Sequence, residues 1–403
     1  MNPDQKTSGP LAGLKVLDLT RVLAGPTSTQ LLGDYGADVV KVERPGIGDD
    51  TRKWGPPYVK DAAGQDSHES AYYLAANRNK RSVAVDIATP EGAALVKRMA
   101  AKADIIVENY KCGGLKKYGL DYGEIRKINP GIIYCSITGF GQTGPNAHLP
   151  GYDLMAQGYG GIMSLTGEPD GTPMKVGVGV ADVMCGMYAA TAVLAALRHR
   201  DQTGEGQYID VALVDSQIAW LVNEGTNYLM SGEVPKRRGN QHPNIVPYQV
   251  FAANDGHVIV AVGNDGQFQR FCQILGAPEL AQSPDYATNH ARVANREVLL
   301  PKLEALIADF GKQVLLDEMK ANNVPCGEVN TLKEVFDSPQ VAARDMRVKM
   351  NHAHSEIEVI GNPVKFSETP VSYRKAPPLC GADTDEVLKE WLGEHLNTKE
   401  SLA

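Results

Sequence analysis

The feature that most constrains this chain is an alternation, from residue 15 onward, of short apolar runs with stretches of helical spacing. Lys15 to Leu19 has a strand's composition, Ser28 to Tyr35 has helix character, and Ala37 to Glu43 returns to strand composition. That is a β-α-β unit. The pattern recurs as strand over Ser82 to Asp86, helix over Pro90 to Ala103, and strands over Asp104 to Glu108 and Gly131 to Ser136. Alternation of this kind predicts an α/β fold, a parallel sheet with helices on both faces. A turn at Thr203-Gly-Glu-Gly-Gln207 leads to a further strand, Tyr208 to Ala212, and a helix from about Asp215 to Met230.

At 403 residues the chain exceeds one typical domain, and its character changes after residue 230. Residues 1–230 form the larger α/β part, and 231–247, rich in Gly, Pro, Asn and basic residues, read as a linker. Residues 248–330 form a smaller α+β domain. Within it, Tyr248 to Ala253 and His257 to Val262 flank Asn254-Asp255-Gly256, a hairpin signal, and helices follow over Asp265 to Leu275 and Arg296 to Phe310. Residues 331–403 form a tail that returns to the large domain, with a strand over Glu356 to Ile360 and a helix over Asp383 to Leu392.

A net charge of −8 with no basic block argues against nucleic acid as a partner. The six cysteines are far apart and form no Cys-x-x-Cys pair, and the nine histidines form no metal-binding array. Reduced thiols, no metal and no tightly bound cofactor are expected, in a cytoplasmic protein. The polar lead-in over residues 1–10 lacks an apolar signal core. Residues 176–197 are long enough to mimic a membrane span, but the first half is Gly-rich and Asp182 lies inside, so the stretch is expected to be buried in protein and no membrane is expected as a partner.

A β-α-β start invites a dinucleotide site, and Glu43 is suitably placed to hold a ribose. However, the first turn, Thr20-Arg-Val-Leu-Ala-Gly25-Pro26, has no Gly-x-Gly-x-x-Gly and carries a Pro where phosphate-binding N–H groups should begin. A NAD-dependent oxidoreductase is a minor alternative. Phosphates can still be held by side chains: Arg44, Arg78, Lys80, Arg81, Lys111, Lys116 and Lys117 lie after or between the predicted strands, where an open parallel sheet collects ligands. Such a set suits a polyphosphate ligand such as coenzyme A, or is an ordinary solvated surface.

Asp182 is the only charge between Lys175 and Arg198. It stands at the N-cap or first turn of a helix predicted over Val183 to Leu197, after Gly177 and Gly179. Free N–H groups and the helix dipole would favour its ionised form there. The residue is either a cap or a nucleophile for a thioester.

Several runs carry a family resemblance: Leu14-Lys-Val-Leu-Asp-Leu-Thr-Arg-Val-Leu-Ala-Gly-Pro26, Gly36-Ala-Asp-Val-Val-Lys-Val-Glu-Arg44, Asn79-Lys-Arg-Ser-Val-Ala-Val-Asp86, Gly139-Phe-Gly-Gln-Thr-Gly-Pro145, Gly167-Glu-Pro-Asp-Gly171 and Thr203-Gly-Glu-Gly-Gln-Tyr208. Over nearly its whole length the chain resembles the class III coenzyme A transferases, the family of formyl-CoA and carnitine-CoA transferases. The resemblance implies a Rossmann-like large domain built from both chain ends, a small domain between them, and a homodimer in which each chain is a ring threaded through the other. Asp182 falls on that family's nucleophilic aspartate, which passes through aspartyl anhydride and aspartyl-CoA thioester intermediates with acyl-CoA and a carboxylic acid as substrates. The CoA contacts implied are Arg44, Val85, Asp86, Ile87, Ala88, Asn109, Tyr110, Lys111 and Lys117. Lys111 and Cys112 stand where Arg-Pro is common and Lys117 where Arg is frequent, so the charge is kept without a bidentate fork.

Tyr152 and Asp153 are candidate supporting residues: Asp153 either orients the Asp182 region by hydrogen bonds or is an ordinary turn residue after Gly151. The related α-methylacyl-CoA racemases carry His before this Asp, and Tyr, with an unperturbed pKa near 10, is a poor substitute at neutral pH; a racemase is the second reading and a non-catalytic acyl-CoA binding protein a further one. Leu23, where some members place Gln, points away from the formyl-CoA subgroup. Asn240 to Tyr248 is similar to the succinyl-CoA:dicarboxylate branch. There Lys236, Arg237, Arg238 and His242 either meet the second carboxylate of an acceptor such as glutarate or itaconate, or form a basic linker facing water.

Overall fold

Six short strands, the inner ones largely buried on both faces, form the main sheet of this protein, a computed structural model that describes residues 9–394. In chain order they and their helices are β1 (Lys15–Leu19), α1 (Ala24–Asp34), β2 (Asp38–Glu43), β3 (Lys80–Ala84), α2 (Pro90–Ala100), β4 (Ile105–Glu108), β5 (Ile133–Thr138), α3 (Asp153–Tyr159), α4 (Val180–Thr203) and β6 (Tyr208–Ala212). The sheet order is β3-β2-β1-β4-β5-β6. Every pair is parallel, with Val16 opposite both Val39 and Ile105. Near-continuous apolar strands are what a parallel sheet covered on both faces requires.

One face buries Val16, Val39, Ile105, Val107, Ile133 and Cys135 under α1 and α4. The other buries Leu17, Val40, Val83, Ile106 and Tyr134 under α2 and the helix Thr384–Leu392, which contributes Val387, Leu388 and Trp391. Because consecutive strand residues point to opposite faces, a shift of one residue in any strand would exchange the two cores. The order reverses between β1 and β4. Outside the carboxyl ends of these two strands lies the crevice where open α/β sheets bind ligands.

By backbone contacts the chain divides into two units, one of residues 1–162, 175–231 and 340–403, the other of 163–174 and 232–339. In the second unit Tyr248–Ala253 and Gly256–Ala261 pair as the hairpin its turn residues predict, and Cys326–Glu328 adds a third antiparallel strand. Phe251, Val258, Phe268, Phe271, Leu299 and Leu315 fill its core. Arg292 is fully buried there, with its guanidinium donating to the carbonyls of Val246 and Tyr286 and to Asp265.

Local departures from the expectations are physical. The helix expected over Asp215 to Met230 is two, Leu213–Ala219 and Val222–Ser231, broken where Val222 takes a positive φ of 43°. The Ser82 to Asp86 strand runs instead over Lys80–Ala84, releasing residues 85–88 as a loop at the carboxyl edge. The stretch resembling a membrane span is α4, which has the length and apolar composition of one; 56% of its most apolar window is buried inside this chain. The lead-in expected over residues 1–10 lies, through residue 8, outside the described residues, as do residues 395–403 of the tail.

Candidate active site

Close packing of α1 on α4 places Asp182. Gly186, one turn along α4, meets the start of α1 so tightly that a Cβ there would lie 2.5 Å from the carbonyl oxygen of Ala24. Small residues at Ala181, Cys185, Ala189 and Ala190 continue the same buried face. The helix begins at Val180, three residues earlier than expected, and Gly179 at its N-cap offers no side chain. The cap comes from elsewhere in the chain: Asp153 Oδ1 accepts the N–H groups of Ala181 at 2.8 Å and Asp182 at 3.4 Å.

This arrangement overturns the expectation that the helix N-terminus would favour ionised Asp182. Asp182 is only 8% exposed. Burial first, and the neighbouring Asp153 carboxylate second, push its pKa up to about 7. No side chain pairs with the Asp182 carboxylate among the described residues. The phenol of Tyr72 is pushed up to about 12 by burial and by Asp182 and Asp153, so it stays neutral.

Asp182 lines a cavity of about 430 Å³ with Val22, Leu23, Ala24, Asn109, Tyr110, Lys111, Cys112 and Tyr152. A second cavity, of about 360 Å³, is lined by Arg44, Val85, Asp86, Ile87, Ala88, Tyr110 and Tyr118. Both lie at the carboxyl edge of the sheet, and they share Arg21, Asp50 and Tyr110. A ligand long enough to occupy both would pass these three residues. Arg21 pairs with Asp50 at 2.7 Å and its guanidinium lies 5.8 Å from the centre of the Tyr110 ring.

The structure thus brings Asp182, Tyr152, Asn109, Tyr110 and Lys111 to one cavity and Arg44 with residues 85–88 to the other. Asn109 acts through the backbone: its amide accepts Arg21 N–H at 2.9 Å and donates to Arg21 O at 2.7 Å, tying the loops after β1 and β4 together. Lys117 lines neither cavity; its ammonium sits 4.6 Å over the ring of Tyr118, which does. Arg21 and Asp50 went unsuspected in the sequence, although Arg21 follows the first strand, where the sheet reverses order.

The cation set divides. Arg78, Lys80 and Arg81 are not phosphate ligands: each is buried at or before the start of β3 and is paired, with Asp34, Asp18 and Asp38 respectively. Their charges are neutralised inside the protein, leaving Arg44 and Lys111 on the cavity walls.

Arg237, Arg238 and His242 belong to the second unit. Arg237 donates to the carbonyls of Glu168, Pro169 and Gly171, so its guanidinium pins that turn instead of standing open for an acceptor. Arg238 donates to Lys236 O, and His242 Nδ1 accepts Asn244 N–H with its ring 5.2 Å from that of Tyr248. Among the described residues no group of three or more His, Cys, Asp or Glu side chains has metal-binding geometry.

Comparison with known proteins gives a consistent result. The model of CoA-transferase family III matches residues 11–384. The chain is 50% identical to the succinate–glutarate CoA-transferase of Agrobacterium fabrum over 94% of its own length and 95% of that protein's. It is 46% identical to the succinyl-CoA:glutarate CoA-transferase of Mus musculus over 95% of this chain and 86% of that one. A crystal structure of a CAIB/BAIF family protein from Brucella suis superposes with a TM-score of 0.84 at 48% identity, covering 95% of this chain and 100% of that one. These relationships place the chain in CoA-transferase family III: it belongs to that family and is a CoA-transferase whose substrates are CoA thioesters.

Proposed function

We propose that this enzyme moves CoA from succinyl-CoA to a short dicarboxylate, glutarate or a close analogue such as itaconate, with Asp182 as the nucleophile. The observation that carries the reading is the isolation of the Asp182 carboxylate: buried, unpaired and facing a cavity that adjoins the one holding Arg44. The names of the relatives from Agrobacterium and mouse, succinate–glutarate and succinyl-CoA:glutarate CoA-transferase, support succinyl-CoA and glutarate.

An Asp182 oxygen attacks the thioester carbon, and the C–S bond breaks to give a mixed anhydride and CoA thiolate. The thiolate attacks the aspartyl carbon, releasing succinate and leaving an aspartyl-CoA thioester. The acceptor carboxylate then attacks that thioester, expelling thiolate and forming a second anhydride. Attack of the thiolate on the acceptor's acyl carbon releases the new CoA ester and restores Asp182. Each step keeps the acyl group activated, so water must be excluded throughout. The nucleotide end of CoA lies along Arg44 and residues 85–88, with Tyr110 between the two cavities, Lys111 on the wall of the Asp182 cavity and Asn109 holding the loops.

Tyr152 in place of His leaves no imidazole for proton transfer at an α-carbon, which supports transfer over racemisation. The large unit is read as Rossmann-like and the assembly as an interlocked homodimer. Support for the dimer comes from exposed apolar side chains, among them Leu154, Tyr159, Met187, Tyr188 and Ile218 on α3, α4 and Leu213–Ala219, and Trp220 just after. A face this apolar needs a cover. All six cysteines are free thiols, which suits the cytoplasm.

A panel of acyl-CoA donors crossed with carboxylic acids, read by mass spectrometry of the CoA products, tests the assignment. Succinyl-CoA with glutarate should lead by about tenfold or more over monocarboxylate acceptors of equal length. Equal turnover of both acceptor classes would remove the dicarboxylate reading.

A further inference from the structure

The environment of Asp182 contains a second carboxylate arranged in an unusual way. Asp153, the first residue of α3, spends Oδ1 on the N–H groups of Ala181 and Asp182 and accepts the side-chain amide of Gln157 on Oδ2 at 2.7 Å. Gln157 is completely buried, and its amide oxygen accepts Val176 N–H at 2.8 Å. One glutamine thereby fixes Asp153 with its donor and the strand of chain leading into α4 with its acceptor. The positions are tight: a Cβ on Gly179 would lie 3.0 Å from Leu23 Cδ2 and 3.7 Å from Asp153 Cγ.

An aspartate in the first turn of a helix ordinarily folds back onto the free N–H groups there and is held as a stable anion. Here the first of those groups are already taken by another anion. The titratable groups facing Asp182 are Asp153 from α3, Tyr72 from the helix Ala71–Ala75 and Cys185 from its own helix, with the Arg21–Asp50 pair, Tyr110, Lys111 and Tyr152 on the cavity wall. Among the described residues none of the wall cations forms an ion pair with Asp182. We propose that the Asp153–Gln157 pair is an anionic cap that denies Asp182 its own helix N-terminus, keeping the carboxylate unpartnered and strongly nucleophilic toward the thioester. Asp153 is a positioning residue; it holds the backbone at the nucleophile and does not line the Asp182 cavity.

The effect extends to the intermediates. Acylation of Asp182 replaces a carboxylate by an uncharged anhydride or thioester, and the charge of Asp153 penalises only the former. An anion fixed beside the nucleophile therefore raises the proportion of enzyme held as the covalent species.

The inference rests on Asp182 being the nucleophile, so the test measures both. Wild-type donor half-reaction rates, measured against pH, should rise along an acid limb with a midpoint near 7 as Asp182 ionises. Asp153→Asn should move that midpoint down by about one pH unit and lower the rate at pH 8 about tenfold. Asp153→Ser, which can still accept an N–H group at the helix start but carries no charge, should move the midpoint down likewise, and it keeps the test open if Asp153→Asn does not fold. The trapped aspartyl-CoA fraction should fall in Asp153→Asn. If acyl-Asp182 is trapped in the wild type but the limb is indifferent to whichever of the two variants fold, the anionic cap is wrong and the nucleophile stands. If no adduct forms on Asp182 in the wild type, the proposed chemistry itself fails.

Discussion

Two buried aspartates in the larger unit, Asp18 and Asp182, show how environment decides between structure and chemistry. Asp18, near the end of β1, is fully buried; its oxygens accept Thr20 N–H at 2.9 Å and Oγ1 at 2.6 Å, Thr29 Oγ1 at 2.7 Å and Lys80 Nζ at 3.1 Å. Burial alone would raise its pKa, but Lys80 and Lys41 outweigh it and hold the carboxyl at about 2. Asp182 is nearly as buried, has none of these partners and a carboxylate beside it, and moves the other way to about 7. A satisfied anion is inert; an unsatisfied one is basic and reactive. The Asp18 network also shapes the site, because Lys41 donates to Thr20 O and pairs with Asp49 at 2.8 Å, fixing the chain neighbours of the Arg21–Asp50 pair that lines both cavities.

Substitution by asparagine should separate the two roles. Asp182→Asn should lower transfer by about 10⁴-fold or more with CoA affinity largely kept, as expected when a covalent nucleophile is removed; steady-state turnover and CoA titration check it, and near-normal turnover would end the distinction. Asp18→Asn should act on the fold instead, costing about 3–5 kcal/mol by leaving Lys80 with an uncompensated buried charge. Denaturant unfolding at pH 7 reads this.

The smallest expected effect has the opposite sign. The folded pKa of Asp182 is raised, so the folded state holds a proton that the unfolded chain releases near pH 4, and ionisation penalises folding increasingly as pH rises from there through 7. Asp182→Asn should therefore stabilise the protein by about 2–4 kcal/mol at pH 8 and by little at pH 4. Asp18 behaves conversely: its folded pKa is lowered, so its contribution is present above pH 4 and is lost as pH falls through 2. Unfolding free energies across this range would sharpen the comparison, and a pH-independent gain in Asp182→Asn would contradict it.

Part of this contrast was legible in the sequence. Lys15–Leu19, Tyr208–Ala212, Tyr248–Ala253 and Glu356–Ile360 form as strands at the bounds their apolar patterning predicts, because local alternation and turn residues suffice to define them. Asp182 stood out as a lone charge in an apolar run. What local pattern cannot carry is register and long-range pairing. Lys80 and Arg81 look like loop cations in a sequence, and only the placement of β3 beside β2, with β1 next to it, brings them onto Asp18 and Asp38. The state of Asp182 was likewise hidden, since the carboxylate that caps its helix lies 29 residues away. Apolar spacing continues unbroken through Trp220 and Leu221, so the break between Leu213–Ala219 and Val222–Ser231 left no periodic signal.

A covalent bond to Asp182 is detected most directly by peptide mapping of enzyme quenched during turnover with succinyl-CoA and treated with hydroxylamine or borohydride. The peptide containing Asp182 should carry a modified aspartyl residue, and the same peptide from Asp182→Asn should carry no adduct. An unmodified Asp182 peptide from enzyme that is turning over would contradict the covalent bond.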